Sequence, residues 1–244
     1  MEKLEQVTPY GSTDKSKKEQ VAEMFNNISK RYDFLNHFLS LGIDKGWRKN
    51  VVKLAKAEKP ERILDLATGT ADQAIALRVT QPREIIGVDI SEGMLEQGRV
   101  KVRKQGLDKL ITLSLGDSED LPFPDDHFDV LTVSFGVRNY ENLKKGLSEM
   151  LRVIRPGGKV IILEFSQPEK FPMKQLFGFY SKRVLPTVGR LVSKDPRAYT
   201  YLPDSVDAFP YGTAFTDVLD ELGYRETTIA PQTFGIASIY TGTK

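Results

Sequence analysis

The sequence predicts an α/β fold, with a doubly wound, mostly parallel sheet of seven strands, a C-terminal antiparallel hairpin and an N-terminal helical cap. Three observations support this prediction. Apolar runs of strand length alternate with helical stretches through the middle of the 244-residue chain, which is typical of a parallel sheet with crossover helices. The last two strand candidates are too close together for a crossover and must pair antiparallel. The residues before the first strand have helical periodicity instead.

Composition is ordinary for a soluble globular protein, with 40% hydrophobic and 28% charged residues. The chain contains no cysteine and only two histidines. Disulfides and thiolate sites are therefore excluded, and no metal site is predicted. Residues 1–18 are polar and lack the apolar core of a signal peptide, and no apolar run reaches the roughly 18 to 20 residues of a membrane span. A cytoplasmic protein is expected, with peripheral attachment to the inner face of the membrane as an open alternative.

The first part of the chain is predicted to form a loose arm, residues 1–18, followed by a helical cap, residues 19–58. The first helix of the cap starts at Glu19, and its apolar stripe consists of Val21, Met24, Phe25 and Ile28. A second helix is predicted from about Tyr32 to Phe38 and a third from Trp47 to Ala57. The remaining residues, 59–244, are expected to form the main domain.

The main domain offers seven strand candidates: Arg62–Ala67, Glu84–Asp89, Ile111–Gly116, Phe128–Phe135, Lys159–Phe165, Arg225–Ala230 and Thr233–Thr241. Helices are predicted to begin near Ala71, Ser91 and Asn142, and another to span Thr213–Leu222. Pro156-Gly157-Gly158 predicts a tight break before the fifth strand. Pro231 and Gln232 separate the last two strands.

The turn after the first strand is the most informative local feature. Its small positions are Ala67, Gly69 and Ala71, where a pyrophosphate-binding turn would have three glycines spaced G-x-G-x-x-G. Carboxylates flank it at Asp65 and Asp72. Two acids disfavour a phosphate and suit a cation that carries an amino acid, a description that S-adenosylmethionine fits. The alternative is an unspecialised βαβ turn of any α/β protein.

Polar residues also end the next three strands, where ligands of open α/β sheets bind. Asp89 ends the second strand and is predicted to accept hydrogen bonds from ribose hydroxyls. Asp117 follows the third strand and is predicted to receive an adenine amino group, with the Ser118 N–H beside the ring. Ser134 ends the fourth strand, over the reactive end of such a cofactor.

Several blocks of the chain resemble class I S-adenosylmethionine-dependent methyltransferases: Leu64–Asp72, Val88–Ser91, Gly116–Asp129 and Leu151–Gly158. Two further stretches resemble one family within them, the demethylmenaquinone and 2-polyprenyl-benzoquinol C-methyltransferases. They are Tyr32-Asp33-Phe34-Leu35-Asn36 with Ser40-Leu41-Gly42 and Trp47-Arg48, and Arg152 through Pro168. Ser134-Phe135-Gly136-Val137-Arg138-Asn139 also matches, so the resemblance covers the chain from about residue 20 onward.

The resemblance implies S-adenosylmethionine as cofactor, with contacts from Thr70, Asp89, Asp117, Ser118 and Ser134. The turn itself adds Asp65 and Gly69 to the predicted cofactor site. The implied reaction is methylation of a ring carbon of demethylmenaquinol to give menaquinol, the last step of menaquinone biosynthesis. A benzoquinol of ubiquinone biosynthesis and a catalytically silent cofactor-binding scaffold are the alternatives. An NAD-dependent oxidoreductase is disfavoured by the missing glycines. Ala71 departs from the family, which commonly has a second glycine there.

Four residues are candidates for the chemistry of a quinol substrate. Tyr32, Asp33 and His37 lie in the N-terminal signature, and each is a candidate for removing a phenolic proton. Arg138 is a candidate for stabilising the developing phenolate. Structural roles are the alternatives: a packing partner for His37 and a salt bridge to a helix end for Arg138.

A basic segment runs from Lys170 to Lys194. It contains six basic residues and no acid, so the rest of the chain carries a net charge of −4. An apolar stripe within it comprises Met173, Leu176, Phe177, Tyr180 and Val184. We expect residues 168–210 to form a lid and the entrance for a polyprenyl quinol, with residues 170–194 on an anionic membrane surface. No nucleic-acid partner is predicted, and a homodimer is left open.

Overall fold

A computed structural model describes residues 2–40, 42–184, 187 and 197–244, and the side chains of all of these except 2, 3, 34–39, 182, 198 and 199. The strands are β1 Arg62–Leu66, β2 Glu84–Asp89, β3 Ile111–Leu115, β4 Phe128–Ser134, β5 Ile154–Phe165, β6 Arg225–Gln232 and β7 Ala237–Thr243. They form one sheet in the order β3-β2-β1-β4-β5-β7-β6. The first five are parallel, and β7 pairs antiparallel with both β5 and β6. The predicted fold class is confirmed.

The helices that precede and cover the sheet are α1 Glu2–Gln6, α2 Lys17–Leu39, α3 Asp44–Ala57, α4 Asp72–Leu77, α5 Glu92–Lys104, α6 Leu143–Val153, α7 Met173–Phe179, α8 Arg197–Ala208 and α9 Thr213–Glu221. The order of strands reverses between β1 and β4. Ligands of doubly wound sheets bind beside such a reversal, at the carboxyl ends of the strands.

The central strands of the sheet are buried on both faces. Successive residues of β1 alternate between two hydrophobic clusters, with Ile63 in one and Leu64 in the other. Asp65 and Thr132 are the only polar residues of the central strands β1 and β4 that are fully buried. Covered faces explain why the strands read as continuous apolar runs.

Several element boundaries differ from the prediction. The last strand, predicted as Thr233–Thr241, begins only at Ala237, because Thr233–Gly235 forms a 3-10 turn. The two predicted helices of the first half of the cap form one continuous helix, α2. Strand β5 begins at Ile154 and includes the predicted Pro-Gly-Gly break, because Gly157 N donates to Lys244 O and Lys244 N donates to Gly158 O. Strand β6 continues through Pro231 to Gln232. Proline is tolerated there because β6 is the edge strand.

The N-terminal arm is packed, in contrast to the expected loose arm. Leu4 is fully buried in the main core. The Lys17 ammonium donates to Leu4 O at 2.7 Å, and its burial lowers the pKa of Lys17 to about 8. The polar composition of the arm did not predict this packing, which rests on a few residues: Leu4 and Lys17 are buried, and Val7 and Tyr10 pack against the cluster of α2.

The cap helices α2 and α3 lie over the carboxyl ends of the strands together with α7, the π-helical turn Tyr180–Val184 and α8. Helix α2 packs against α5, and α3 packs against α4 and β5. None of the helices in the described part of the chain is long and apolar enough to cross a membrane.

Candidate functional site

The turn after β1 has an unusual backbone. Ala67, Gly69 and Ala71 have φ angles of 50°, 56° and 67°, all in the left-handed region. These are the three small positions that the sequence singled out. A left-handed alanine costs roughly 1 to 2 kcal/mol, so the turn is held by its surroundings rather than by local preference.

Asp65 supports this turn from below. It is 1% exposed, and its carboxylate accepts hydrogen bonds from the Thr68 hydroxyl at 2.7 Å and the Thr132 hydroxyl at 2.6 Å. Burial raises the pKa of Asp65 to about 6. Asp65 does not line either of the cavities described below. The structure therefore places this predicted cofactor ligand under the turn, in a supporting role.

Asp89 joins the turn to helix α5. Its carboxylate accepts from Gly69 N and from Ser91 N, both at 2.8 Å. Burial raises the pKa of Asp89 to about 6. The carboxylate lines a cavity, and two oxygens with about four lone-pair sites can accept further hydrogen bonds beyond these two.

That cavity, of about 70 Å³, is called here the strand-end pocket. Its walls include five of the seven predicted cofactor residues: Gly69, Asp89, Asp117, Ser118 and Ser134. Sequence reasoning missed Lys18, in the first turn of α2, whose ammonium donates to the Asp117 carboxylate at 2.7 Å. The only sequence signal for Lys18 was its place directly before the cap.

Thr70 and Asp33 lie outside both cavities and bind each other. The Thr70 hydroxyl donates to Asp33 at 2.5 Å. The Lys101 ammonium of α5 lies 2.6 Å from carboxylate oxygens of both Asp33 and Asp72, and 2.9 Å from the Thr70 hydroxyl. This network ties the cap to the turn. Asp33 therefore forms an ion pair with Lys101, and its role as a base stays a prediction.

A second cavity, of about 310 Å³, lies between the cap, the ends of β4 and β5, and helices α7 and α8. We call it the cap cavity. Three aromatic rings form its inner wall: Phe135 and Phe165 have centroids 4.6 Å apart, and Trp47 packs on both at 6.1 and 6.4 Å. Phe25, Tyr32, Phe135 and Asn139 line both cavities, so the cap cavity adjoins the strand-end pocket there.

Arg138 lines the cap cavity and forms a buried ion pair. Its guanidinium donates to Glu164 of β5 at 2.8 Å and to Phe135 O at 2.6 Å, and it lies 5.3 Å over the Phe165 ring. The salt-bridge alternative was thus correct in kind, but the partner is a strand carboxylate and not a helix end. Burial raises the pKa of Glu164. Glu164 was missed, although an acid within the apolar run Leu163-Glu164-Phe165 was a readable signal.

Four buried polar atoms at this cavity have no hydrogen-bond partner among the described residues: Arg48 Nε, Arg138 Nε, Asn139 Oδ1 and Tyr201 OH. Arg48 Nε has only the Asp44 carboxylate near it, at 3.8 Å. Buried polar atoms in proteins are almost always hydrogen-bonded. These atoms leave hydrogen-bonding capacity in an aromatic cavity that a polar ligand or water can use.

The remaining predicted residues either line the cavities or have side chains outside the described residues. Tyr32 lines both cavities. His37 lies in α2, but its side chain is outside the described residues. Of the apolar stripe of the basic segment, Met173, Leu176, Phe177 and Tyr180 line the cap cavity.

A model of the ubiE/COQ5 methyltransferase family matches residues 13–244. The chain belongs to this family. It is 50% identical to a demethylmenaquinone methyltransferase of Bacteroides fragilis over 98% of both chains. It is 48% identical to a ubiquinone/menaquinone biosynthesis C-methyltransferase of Geobacter sulfurreducens, over 98% of this chain and 93% of that one.

A solved structure shows the same fold. A SAM-dependent methyltransferase from Aquifex aeolicus superposes with a TM-score of 0.54 at 18% identity, covering 75% of this chain and 81% of that one. The predicted family and fold are confirmed. The protein is a methyltransferase that uses S-adenosylmethionine, as the sequence predicted.

Proposed function

We propose that the protein transfers a methyl group from S-adenosylmethionine to a ring carbon of demethylmenaquinol, giving menaquinol. One observation carries this proposal: an aromatic cavity with unpartnered polar atoms adjoins the strand-end pocket at Phe135 and Asn139. The names of the Bacteroides and Geobacter relatives support a quinone substrate. The second of these names includes ubiquinone, so a polyprenyl benzoquinol remains the alternative substrate.

The strand-end pocket fits the methyl donor. A Cβ at Gly69 would meet no atom within 4 Å, so a ligand can approach the backbone there. Asp89 would hold the ribose hydroxyls, Asp117 and Ser118 the adenine, and Ser134 the end nearest the cap cavity. When bound, the cofactor supplies an electrophilic methyl group on a positively charged sulfur. The other requirements of methyl transfer, which are orientation of the quinol, exclusion of water and removal of its proton, fall to the side chains of the protein.

The cap cavity would orient and activate the quinol. Phe135, Phe165 and Trp47 offer flat apolar surfaces to a ring and exclude water from it. Arg138 is held by Glu164, so its unpartnered Nε can face a developing phenolate without reorganisation. This preserves the predicted role of Arg138 within the ion pair.

The proton of the phenol requires an acceptor. Two carboxylates line the cap cavity within the described residues, Asp44 and Asp207. Asp44 is 5% exposed, whereas Asp207 is exposed. Asp44 therefore joins Tyr32, Asp33 and His37 as a candidate for receiving the proton, and it lies at the start of α3, between the Gly42 and Trp47 positions of the N-terminal signature.

We also propose that the rim of the cap cavity rests on an anionic membrane surface, where a polyprenyl quinol resides. Phe171, Leu176 and Phe179 are 81%, 58% and 66% exposed. Lys174 and Arg183 are exposed beside them. Exposed aromatic side chains interleaved with basic residues favour insertion at a lipid interface. Lys182, Arg190 and Lys194 of the predicted membrane segment have side chains outside the described residues.

The test is transfer of a labelled methyl group to demethylmenaquinol, offered in phosphatidylglycerol vesicles and in neutral detergent. We expect labelled menaquinol in both formats. The double variant Lys174→Glu/Arg183→Glu should lower transfer from vesicles roughly tenfold or more, because each basic residue near an anionic surface contributes about 1 kcal/mol. In detergent it should match the wild type.

Other outcomes would change the proposal. Tight binding of S-adenosylhomocysteine without label in the quinone fraction would indicate the silent scaffold. Faster transfer to a polyprenyl benzoquinol would indicate the ubiquinone alternative. Equal loss in vesicles and detergent for the charge-reversed variant would refute the membrane surface.

A further inference from the structure

Asn139 occupies the junction of the two cavities. It ends the short 3-10 turn Val137–Asn139 that follows β4, is 8% exposed and lines both the strand-end pocket and the cap cavity. A substrate atom that meets the methyl donor must therefore pass close to this side chain.

The orientation of the Asn139 amide is fixed by its neighbour. Its Nδ2 donates to Phe135 O at 3.3 Å. Rotating the amide by 180° would set Oδ1 against that carbonyl oxygen, two acceptors facing each other. Oδ1 is consequently the atom left buried and without a partner.

A buried amide oxygen can be satisfied only by a donor. The hydroxyl of a quinol donates a hydrogen bond, whereas the carbonyl of the oxidised quinone only accepts. A quinone that displaced water from Oδ1 would leave it unsatisfied, at a penalty on the order of tenfold to a hundredfold in affinity. Binding sites built around a substrate hydroxyl reject analogues that lack it for this reason.

We propose that Asn139 makes the cap cavity selective for the reduced, hydroxyl-bearing form of its quinone substrate. This inference rests on the proposed function. It assigns to Oδ1 the recognition of a hydroxyl at the ring edge that faces the strand-end pocket. A tenfold preference for the reduced form also raises the midpoint potential of the bound couple by about 30 mV.

Tyr201 provides a matched control. Its hydroxyl is also buried, at 4% exposure, and unpartnered at the same cavity. A phenol hydroxyl both donates and accepts, so it can bind either oxidation state. Tyr201→Phe should weaken both forms by similar factors.

The experiment measures the affinity of the full chain for 1,4-dihydroxynaphthalene and 1,4-naphthoquinone, separately and without oxygen. Trp47 is the only tryptophan of the sequence and lines the cap cavity, so quenching of its fluorescence reports binding. We expect the wild type to bind the reduced form at least tenfold more tightly. Asn139→Leu should bring the ratio of affinities close to one, and Tyr201→Phe should leave the ratio unchanged.

A merely structural role for Asn139 would weaken both ligands equally and preserve the ratio, which would overturn the inference. A wild-type ratio near one would do the same while leaving the proposed function intact. Binding of neither ligand would count against both. If Asn139→Leu does not fold, Asn139→Ser takes its place, since a serine at this position is too short to reproduce the amide oxygen.

Discussion

The two acids of the strand-end pocket, Asp89 and Asp117, accept hydrogen bonds within the chain, whereas four buried polar atoms at the cap cavity have no hydrogen-bond partner among the described residues. Asp89 accepts from two backbone N–H groups, and Asp117 accepts from Lys18 and from Glu119 N. Across the junction, Asn139 and Tyr201 each have a buried atom that meets no donor or acceptor of the described chain. The first region is organised before any ligand binds. In the proposed function, the substrate supplies the missing partners of the second.

The difference follows the architecture. The strand-end pocket is made by the edge of one sheet, so backbone groups of adjacent strands and turns satisfy its carboxylates. The cap cavity is made by helices from distant parts of the chain, α2, α3, α7 and α8, over the ends of two strands. Side chains that meet across such a gap find few backbone partners, and this leaves room for recognition of a substrate.

The largest expected effect concerns the buried ion pair of Arg138 and Glu164 at the cap cavity. Glu164→Ala leaves the Arg138 guanidinium buried without its counter-ion, and we expect a loss of about 3 to 5 kcal/mol in the free energy of unfolding. Glu221→Ala is the matched control, because Glu221 pairs with Lys144 at 2.5 Å on the surface. Its loss should stay below about 1 kcal/mol.

Denaturant unfolding of both variants measures this contrast. Losses that agree within 1 kcal/mol would mean that Arg138 finds another partner or water. Water would then reach the Arg138 guanidinium in the cap cavity. The difference between the cap cavity and the strand-end pocket in unpartnered polar atoms would be correspondingly smaller.

A smaller effect is expected beneath the strand-end pocket. Burial raises the pKa of Asp65 from an ordinary 3.8 to about 6. Between these values the folded chain holds a proton that the unfolded chain has lost, so raising the pH lowers stability until the loss is complete above pH 6. Relative to the wild type, Asp65→Asn should gain on the order of 2 to 3 kcal/mol between pH 4 and pH 7.

Thr132→Val sharpens this prediction. The Thr132 hydroxyl donates to the charged carboxylate, so its removal should raise the pKa of Asp65 further. Stability should then continue to fall with rising pH to a higher pH than in the wild type. Unfolding curves at several pH values test both variants. Curves for Asp65→Asn that run parallel to the wild type across this range would show that Asp65 ionises normally in the folded chain.

The same contrast explains what the sequence could predict. Asp89, Asp117 and Ser134 end consecutive strands, and strand ends of a parallel sheet converge whatever the rest of the chain does. The sequence placed Asn139 in a block shared with the family but predicted no role for it, and it predicted no role for Tyr201. Its contacts depend on how α8 returns over β4 and β5, which no local pattern specifies. The ion pair of Asp33 could not be predicted for a related reason, because its partner Lys101 lies 68 positions away in the sequence.

The smallest expected effect lies in the wall of the strand-end pocket, where Gly136 faces Ala67. A Cβ at Gly136 would lie 2.5 Å from the Ala67 Cβ and 2.9 Å from Val133 Cγ1. Gly136→Ala should therefore cost about 1 to 3 kcal/mol, through overpacking. Ala67→Gly removes the facing methyl group and the strain of a left-handed alanine, but it loosens the unfolded chain, so alone it should change stability by less than about 1 kcal/mol.

Because the two residues meet, the double variant should recover part of the loss, with a coupling of at least about 0.5 kcal/mol in a double-mutant cycle. The dissociation constant for S-adenosylhomocysteine is the second measurement, since Ala67 and Gly136 both line the strand-end pocket. If the stability losses of the two single variants add within about 0.5 kcal/mol, the added methyl group is accommodated by movement of another residue, for instance Val133. The two substitutions could be coupled in the free energy of unfolding and leave the dissociation constant for S-adenosylhomocysteine unchanged. That result would show that the turn keeps its shape around the ligand, as expected for a pocket that is organised before binding.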